Sequence, residues 1–306
     1  MSGQLLVKLL RRCLHAKSSS GDATSFGYRS VPRSEKSHLV QGVFDSVASS
    51  YDLMNDCMSL GLHRVWKDYF VQKLKPVAGM QVLDAAAGTG DIAFRLWQRE
   101  PNLSLTLLDP NEQMLAIAQT RARALGIRMQ PPNSGAREAT ATWPAQPRSP
   151  HGYMRFVASA AEYLPFPEAS FDAYTISFGM RNTTEPLRAM QEAYRVLRRG
   201  GRFLMMEFGR VSDSFPLVQR LYDAYSFTMI PQLGAWIARD RDAYLYLVES
   251  IRAFPDQRKV CAMMHQVGFQ EVSFEDLSFG VVSIYSGWKL DKNLPDLGSV
   301  EQLQGS

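Results

Sequence analysis

Val82-Leu83-Asp84-Ala85-Ala86-Ala87-Gly88-Thr89-Gly90-Asp91 is the stretch on which the reading of this chain turns. An apolar strand ends in a carboxylate, and a glycine-rich turn then opens a helix at Ile92-Ala93-Phe94-Arg95-Leu96-Trp97. Glycine at 88 and 90 lets backbone N–H groups approach a nucleotide-like ligand closely. A second apolar run, Leu103 to Leu108, ends in Asp109, where a carboxylate can accept both hydroxyls of a ribose. The two strand ends together read as the adenosine half of a cofactor site.

Gly88-Thr89-Gly90-Asp91-Ile92-Ala93 also satisfies the dinucleotide fingerprint. A nicotinamide enzyme therefore stays open as an alternative, as does a non-catalytic nucleotide-binding domain. Two features favour a different cofactor. In a dinucleotide fingerprint the first glycine follows the strand almost directly, whereas here Asp84 and three alanines intervene. Asp84 would also set negative charge beside a pyrophosphate, yet it suits the amino group and sulfonium of S-adenosylmethionine. A further strand ending in a polar residue, Phe171-Asp172-Ala173-Tyr174-Thr175-Ile176-Ser177, agrees with that reading.

From 37 to 74 the pattern is helical, with Val40, Val43, Phe44 and Val47 on one stripe. Tyr51-Asp52-Leu53-Met54-Asn55 reads as a break before a second helix from about Leu60 to Leu74. Strands near 81–84, 103–109, 154–158, 171–177 and 202–207 alternate with helices, which predicts a doubly wound, mostly parallel α/β sheet. Glu271 to Asp276 and Val281 to Lys289 close it as a strand pair, making seven strands behind N-terminal helices. Arg198-Arg199-Gly200-Gly201 is expected to cap the helix that starts near Glu185, and Pro216 and Pro231 to break an aromatic-rich helical stretch. Residues 127–152, rich in Pro and Ser, read as a surface insertion, and 291–306 as a polar tail.

The net charge of +4 is unevenly distributed. Residues 1–36 hold seven Lys/Arg against Asp22 and Glu35, leaving the remainder with 27 basic and 28 acidic residues. A neutral body carries no nucleic-acid footprint. Met1 to Gly21 has no acid, and Leu5, Leu6, Leu9, Leu10 and Leu14 interleave with Lys8, Arg11, Arg12 and Lys17. That composition is expected of a mitochondrial transit peptide. The domain plan is accordingly 1–35 transit peptide and linker, 36–290 a single domain. Cys13, Cys57 and Cys261 are dispersed, so neither a metal site nor a disulfide framework is expected.

One further string is more specific. Tyr51-Asp52-Leu53-Met54-Asn55-Asp56-Cys57-Met58-Ser59-Leu60-Gly61-Leu62-His63-Arg64-Val65-Trp66 matches throughout the first signature of the UbiE-type ubiquinone/menaquinone C-methyltransferases, and the chain resembles that family. The second signature lies at Arg195 to Gly209 and departs from the family at Arg198, Arg199 and Gly209. The resemblance implies a class I, Rossmann-like methyltransferase fold with S-adenosylmethionine as cofactor. It carries over Thr89, Asp109, Ala161 and Ser177 as cofactor contacts, alongside Asp84, Gly88 and Gly90. Ala160 stands where relatives usually place Asn or Asp, so either Ser159 or the backbone alone would read the adenine.

The implied reaction is methylation of a ring carbon of 2-polyprenyl-6-methoxy-1,4-benzoquinol. Methylation of a demethylmenaquinol is an alternative, as is a scaffold subunit that only binds the cofactor. Arg181 and Asn182, just past a strand end, are candidates to stabilise the quinolate, with His63 as a competing general base. Tyr51 and Asn55 are expected to shape a lid, and Tyr222 and Tyr225 to wall a channel for the prenyl tail. Implied partners are other proteins of a ubiquinone-synthesis complex and the matrix face of the mitochondrial inner membrane, contacted peripherally. A homodimer is compatible with the reading.

Overall fold

The computed structural model describes residues 23–47, 51–130, 151–212, 214–238 and 240–291. The expected transit-peptide residues 1–22, most of the Pro-rich insertion and the tail beyond 291 lie outside the described residues. The fold begins earlier than the expected boundary at 36. β1 (Ala23–Phe26) and β2 (Arg29–Pro32) pair antiparallel as a hairpin turned at Gly27, whose φ is +60°. Phe26 is buried, its ring stacked on Tyr246 with centroids 4.2 Å apart.

Three helices follow, α1 (Arg33–Val47), α2 (Tyr51–Ser59) and α3 (Leu62–Leu74). The expected break at Tyr51 to Asn55 is instead the first turn of α2. The chain reverses later, at Leu60 and Gly61, both of positive φ. The sheet strands are β3 (Gln81–Ala85), β4 (Ser104–Asp109), β5 (Tyr153–Ala158), β6 (Phe171–Ser177), β7 (Leu197–Phe208), β8 (Gln270–Leu277) and β9 (Val282–Lys289). They form one seven-stranded sheet in the order β5-β4-β3-β6-β7-β9-β8. The five strands from β5 to β7 are parallel neighbours, and β9 and β8 close the sheet antiparallel.

Alternation along the strands sorts two cores. Leu105 and Leu107 of β4 and Leu204 and Met206 of β7 face α3, α4 (Asp91–Arg99) and α5 (Glu112–Ala124), with Phe70, Leu96 and Leu115. Leu108, Phe203 and Met205 face the other way, with Met190 of α6 (Pro186–Val196) and Val260 and Met264 of α9 (Gln257–Val267). Asp256 and Gly268 cap α9, its side-chain acceptor at one end and left-handed backbone at the other.

Two punctuation readings are corrected. α6 stops at Val196 because Leu197 is already extended and paired with Phe171 of β6. Arg198-Arg199-Gly200-Gly201 is therefore a bulge within β7, turned at Gly200 (φ +76°), rather than a helix cap. Pro231 does not break its helix. α7 (Pro216–Leu233) starts on Pro216, runs through Pro231 and passes into a π-helical turn, Gly234–Ala238, before α8 (Arg241–Ala253).

Candidate active site

β3 has β4 on one side and β6 on the other, and their following helices lie on opposite faces. Such a switch point leaves a crevice at the strand carboxyl ends. A cavity of about 550 Å³ occupies it, floored by Ala86 after β3, Asp109 at the end of β4, Ala160 and Ala161 after β5, and Ser177 and Phe178 at the end of β6. Ala86 and Phe178 both adopt left-handed backbone, φ +49° and +55°. Non-glycine residues held so on two adjacent strand ends mark a place where the surrounding structure maintains strain. A side chain on Gly179 would put its Cβ 2.4 Å from that of Ala86, which keeps the crevice floor close-packed.

Three carboxylates line the cavity, Asp109, Glu162 and Glu185, and Asp109 is the one at a strand end. Its two oxygens accept N–H groups of Gly88 and Asn111, each at 2.8 Å, which fixes the plane and leaves further lone pairs. Burial pushes its pKa up to about 6, against the pull of those two backbone donors. Ser177 Oγ is buried without a partner among the described residues. A carboxylate with spare acceptor capacity and an orphaned hydroxyl around one crevice fit a ligand carrying a ribose diol and further polar groups. The roof is α1, through Ser34, Ser37, Val40, Gln41 and Phe44. Asn111 holds that roof from below, donating Nδ2–H to Asp45 at 2.7 Å. Lys36 is buried and donates to the Thr183 carbonyl at 2.7 Å, and burial lowers its pKa to about 8.

Asp109, Ala160, Ala161, Ser177 and Asn182 line the cavity, and the other expected contacts do not. Asp84 lies beneath the loop, accepting from Thr175 Oγ1 at 2.8 Å, and burial lifts its pKa to about 7. It braces the strand end and is not among the cavity-lining residues, while its Oδ2 is buried without a partner among the described residues. Gly88 acts through Asp109, and the carbonyl of Thr89 is held by Arg121 Nη1 at 3.2 Å. At Gly90, φ is +84° and a Cβ would lie 2.8 Å from Phe94 Cε2, so glycine is required by the turn itself. Ser159 donates Oγ–H to the Tyr163 carbonyl at 2.7 Å and is not among the residues lining the cavity.

The acceptor-side candidates separate. His63 is absent from the cavity lining. Its Nε2 lies 2.8 Å from Asp56 Oδ1, joining α2 to α3, and burial lowers its pKa against the pull of Asp56. The orienting role fits this geometry. Arg181 also turns away, its Nη1 3.0 Å from the buried Glu207 and bonded to the Phe178 carbonyl. Only Asn182 of the three fronts the cavity, and its Oδ1 accepts the Tyr246 hydroxyl at 3.1 Å. Burial pushes that tyrosine up to about 12, and the charge of Arg181 opposes the rise.

Asn55, Tyr222 and Tyr225 do not line this cavity, and the side chain of Tyr51 lies outside the described residues. Tyr225 donates to the Met58 carbonyl at 3.1 Å and ties α7 to α2. Gly209, one departure from the second signature, packs against the backbone of Gly280, where a Cβ would sit 2.7 Å from its carbonyl oxygen. It is a packing position. The roof residues of α1 escaped sequence reading, although the Val40–Phe44 stripe carried the signal. Asn111 could have been found as an N-cap: its Oδ1 accepts the Met114 N–H at 3.0 Å.

The sequence profile of the ubiE/COQ5 methyltransferase family matches residues 32–133 and 145–289. A general methyltransferase-domain profile matches 83–205. The 2-methoxy-6-polyprenyl-1,4-benzoquinol methylase, mitochondrial, of Drosophila melanogaster is 43% identical over 93% of this chain and 97% of its own length. The rice protein of the same name is 46% identical, over 94% and 98%. The ubiquinone/menaquinone biosynthesis C-methyltransferase UbiE of Dinoroseobacter shibae is 46% identical, over 89% and 99%. A Thermotoga maritima S-adenosylmethionine-dependent methyltransferase, described as a possible histamine N-methyltransferase, superposes with a TM-score of 0.53 at 17% identity, over 82% of this chain and 99% of that one. A putative methyltransferase of Methanococcus maripaludis gives 0.51 at 15% identity, over 81% and 94%. Those two likenesses concern the fold alone.

Proposed function

The chain belongs to the ubiE/COQ5 methyltransferase family, and from that premise we propose that it methylates a ring carbon of 2-polyprenyl-6-methoxy-1,4-benzoquinol in mitochondrial ubiquinone synthesis, with S-adenosylmethionine as donor. The observation that carries the reading is the crevice at the β3, β4 and β6 ends, with Asp109 and the unpartnered Ser177 hydroxyl on one cavity. The names of relatives over nearly the whole chain support the substrate, and the mitochondrial ones support the compartment.

When bound, the cofactor supplies an electrophilic methyl group. Asp109 would hold its ribose hydroxyls. The backbone about Ala160 and Ala161 would meet the adenine, and Ser177 would meet a polar group near the strand end. α1 covers the cavity and excludes water, which strengthens every electrostatic contact beneath it. A quinol carbon becomes nucleophilic as the neighbouring hydroxyl loses its proton. Asn182, on the cavity wall, would orient that oxygen. Arg181, locked by Glu207, would hold the loop that carries Asn182; its charge reaches the Tyr246 phenol, opposed there by that of Glu207. Positioning of the two reactants can itself supply about 7–11 kcal/mol of barrier reduction.

Residues 1–21 would direct import, and fusion of that segment to a reporter tests it. The matrix side of the inner membrane and other proteins of quinone synthesis are the implied surroundings. Among the described residues no helix is long and apolar enough to cross a membrane. Calorimetric titration with S-adenosylmethionine, S-adenosylhomocysteine and NAD tests the cofactor assignment. The first two should bind and NAD should not, and NAD binding of comparable strength would overturn it.

A further inference from the structure

α7 is an apolar helix turned outward. Of its 18 residues only Ser226, Ile230 and Pro231 are buried. Leu217 and Leu221 are 68% and 63% exposed and stand one turn apart. Ala224 and Thr228 extend the same exposed row without a charge. A surface helix ordinarily gives such a row to polar residues. Phe215 and Phe279, both exposed, meet beside it with ring centroids 5.1 Å apart. Trp236, 78% exposed, extends the patch on the π-helical turn that follows. Two exposed arginines border it: Arg220 on the helix forms no ion pair among the described residues, and Arg210 just before it lies in the field of Asp256.

The other side of α7 looks inward. Arg252 of α8 lies over the Tyr222 ring at 5.2 Å, and Tyr246 of the same helix donates to Asn182 at 3.1 Å, so the inner face of α7 adjoins the Arg181–Asn182 cluster through α8, with the charge of Arg181 acting on the Tyr222 phenol. α7, about 10 Å thick, and the α8 side chains behind it thus separate the acceptor cluster from an exposed apolar row.

We propose that this outward row of α7, with Phe215, Phe279 and Trp236, rests on an anionic lipid bilayer, so that a prenyl tail passes from the membrane along α7 to the acceptor cluster. The choice of a bilayer as occupant rests on the prenyl-quinol reading above and on the charges. Apolar side chains flanked by the unpaired Arg220 and a Trp suit the boundary between acyl chains and anionic headgroups. A second copy suits it poorly. Packing α7 on itself through Leu217 and Leu221 would bring the two Arg220 side chains to one apolar interface without a counter-charge.

The test is co-sedimentation of the full chain with vesicles of phosphatidylcholine alone and of phosphatidylcholine with cardiolipin. The wild type should sediment with the cardiolipin vesicles. Leu217→Glu/Leu221→Glu should lower the bound fraction about tenfold or more, and Arg220→Glu and Trp236→Ala more modestly. Each variant is accepted only if its circular dichroism and its S-adenosylmethionine titration match the wild type. Arg220 and Trp236 are exposed, which keeps the test decisive should the double variant misfold. Undiminished vesicle binding by the folded variants overturns the proposal. So does a wild-type dimer in light scattering that the α7 variants dissociate while none of the proteins binds vesicles. No quinol is present in this assay, so vesicle binding without methylation would count against the enzymatic reading alone.

Discussion

Replacing Asp109 by Ala removes the carboxylate at the end of β4 from the cavity floor, and its consequences can be worked from the geometry. In the fold, the change orphans the Gly88 and Asn111 N–H groups, each now bonded at 2.8 Å. An unsatisfied buried donor costs about 1–3 kcal/mol. Against that, the native carboxylate is itself disfavoured: its pKa rises from 3.8 to about 6 on burial, a penalty of about 3 kcal/mol for the ionised form at neutral pH. The two contributions oppose each other, so the melting temperature should move by no more than about 2–4 °C for each kcal/mol of residual imbalance. Binding has no such offset. Loss of hydrogen bonds from an ionised acceptor to the ribose should weaken S-adenosylmethionine by about 1.5–3 kcal/mol, or about 10- to 150-fold in Kd. Titration calorimetry at neutral pH, paired with thermal melts, separates the two effects. If the variant melts low but binds the cofactor within about twofold of the wild type, Asp109 is a clip for the Gly88 loop and the ribose assignment fails.

Arg181→Ala strands Glu207, which is fully buried, and should destabilise the fold by about 3–5 kcal/mol in urea titration. Arg181→Met/Glu207→Gln should recover most of that; a single variant as stable as the wild type but without turnover would instead assign Arg181 wholly to the chemistry. Asp84 and Asp109 rise to about 7 and about 6, so the native state holds more protons than the unfolded chain between pH 3.8 and those values. Their contribution is then greatest below the unfolded pKa and is lost as pH rises through about 7; urea midpoints for the wild type and Asp84→Asn should converge at acid pH, and parallel profiles would refute the burial argument. Gly90→Ala meets both φ +84° and a contact at 2.8 Å, and should cost about 1–3 kcal/mol; a neutral melt would mean that the turn relaxes freely.

The parallel core was legible because its strands are short apolar runs ending in polar residues. Asp84, Asp109 and Ser177 all stand at or near such ends. What failed was inference from local punctuation. Pro231 tolerates helix on both sides, and Gly200 serves a strand bulge because Leu197 already pairs with Phe171. Site residues were legible when they sit on the sheet and illegible when another element supplies them. Helical periodicity alone cannot say whether Val40 and Phe44 face a core or a cavity, since both are apolar. Nor can sequence say that Arg181 would find Glu207, 26 residues away. That pairing depends on β6 and β7 being neighbours, which is a property of the sheet order.

Transfer of an isotope-labelled methyl from S-adenosylmethionine to a short-tailed 6-methoxy-1,4-benzoquinol by the purified chain is the most direct trial of the proposed activity. Mass spectrometry and NMR of the product should place the label on a ring carbon, with S-adenosylhomocysteine formed in equal amount. Label on an oxygen, or cofactor binding with no transfer to reduced quinol under anaerobic conditions, would contradict C-methylation and leave a protein that only binds the cofactor.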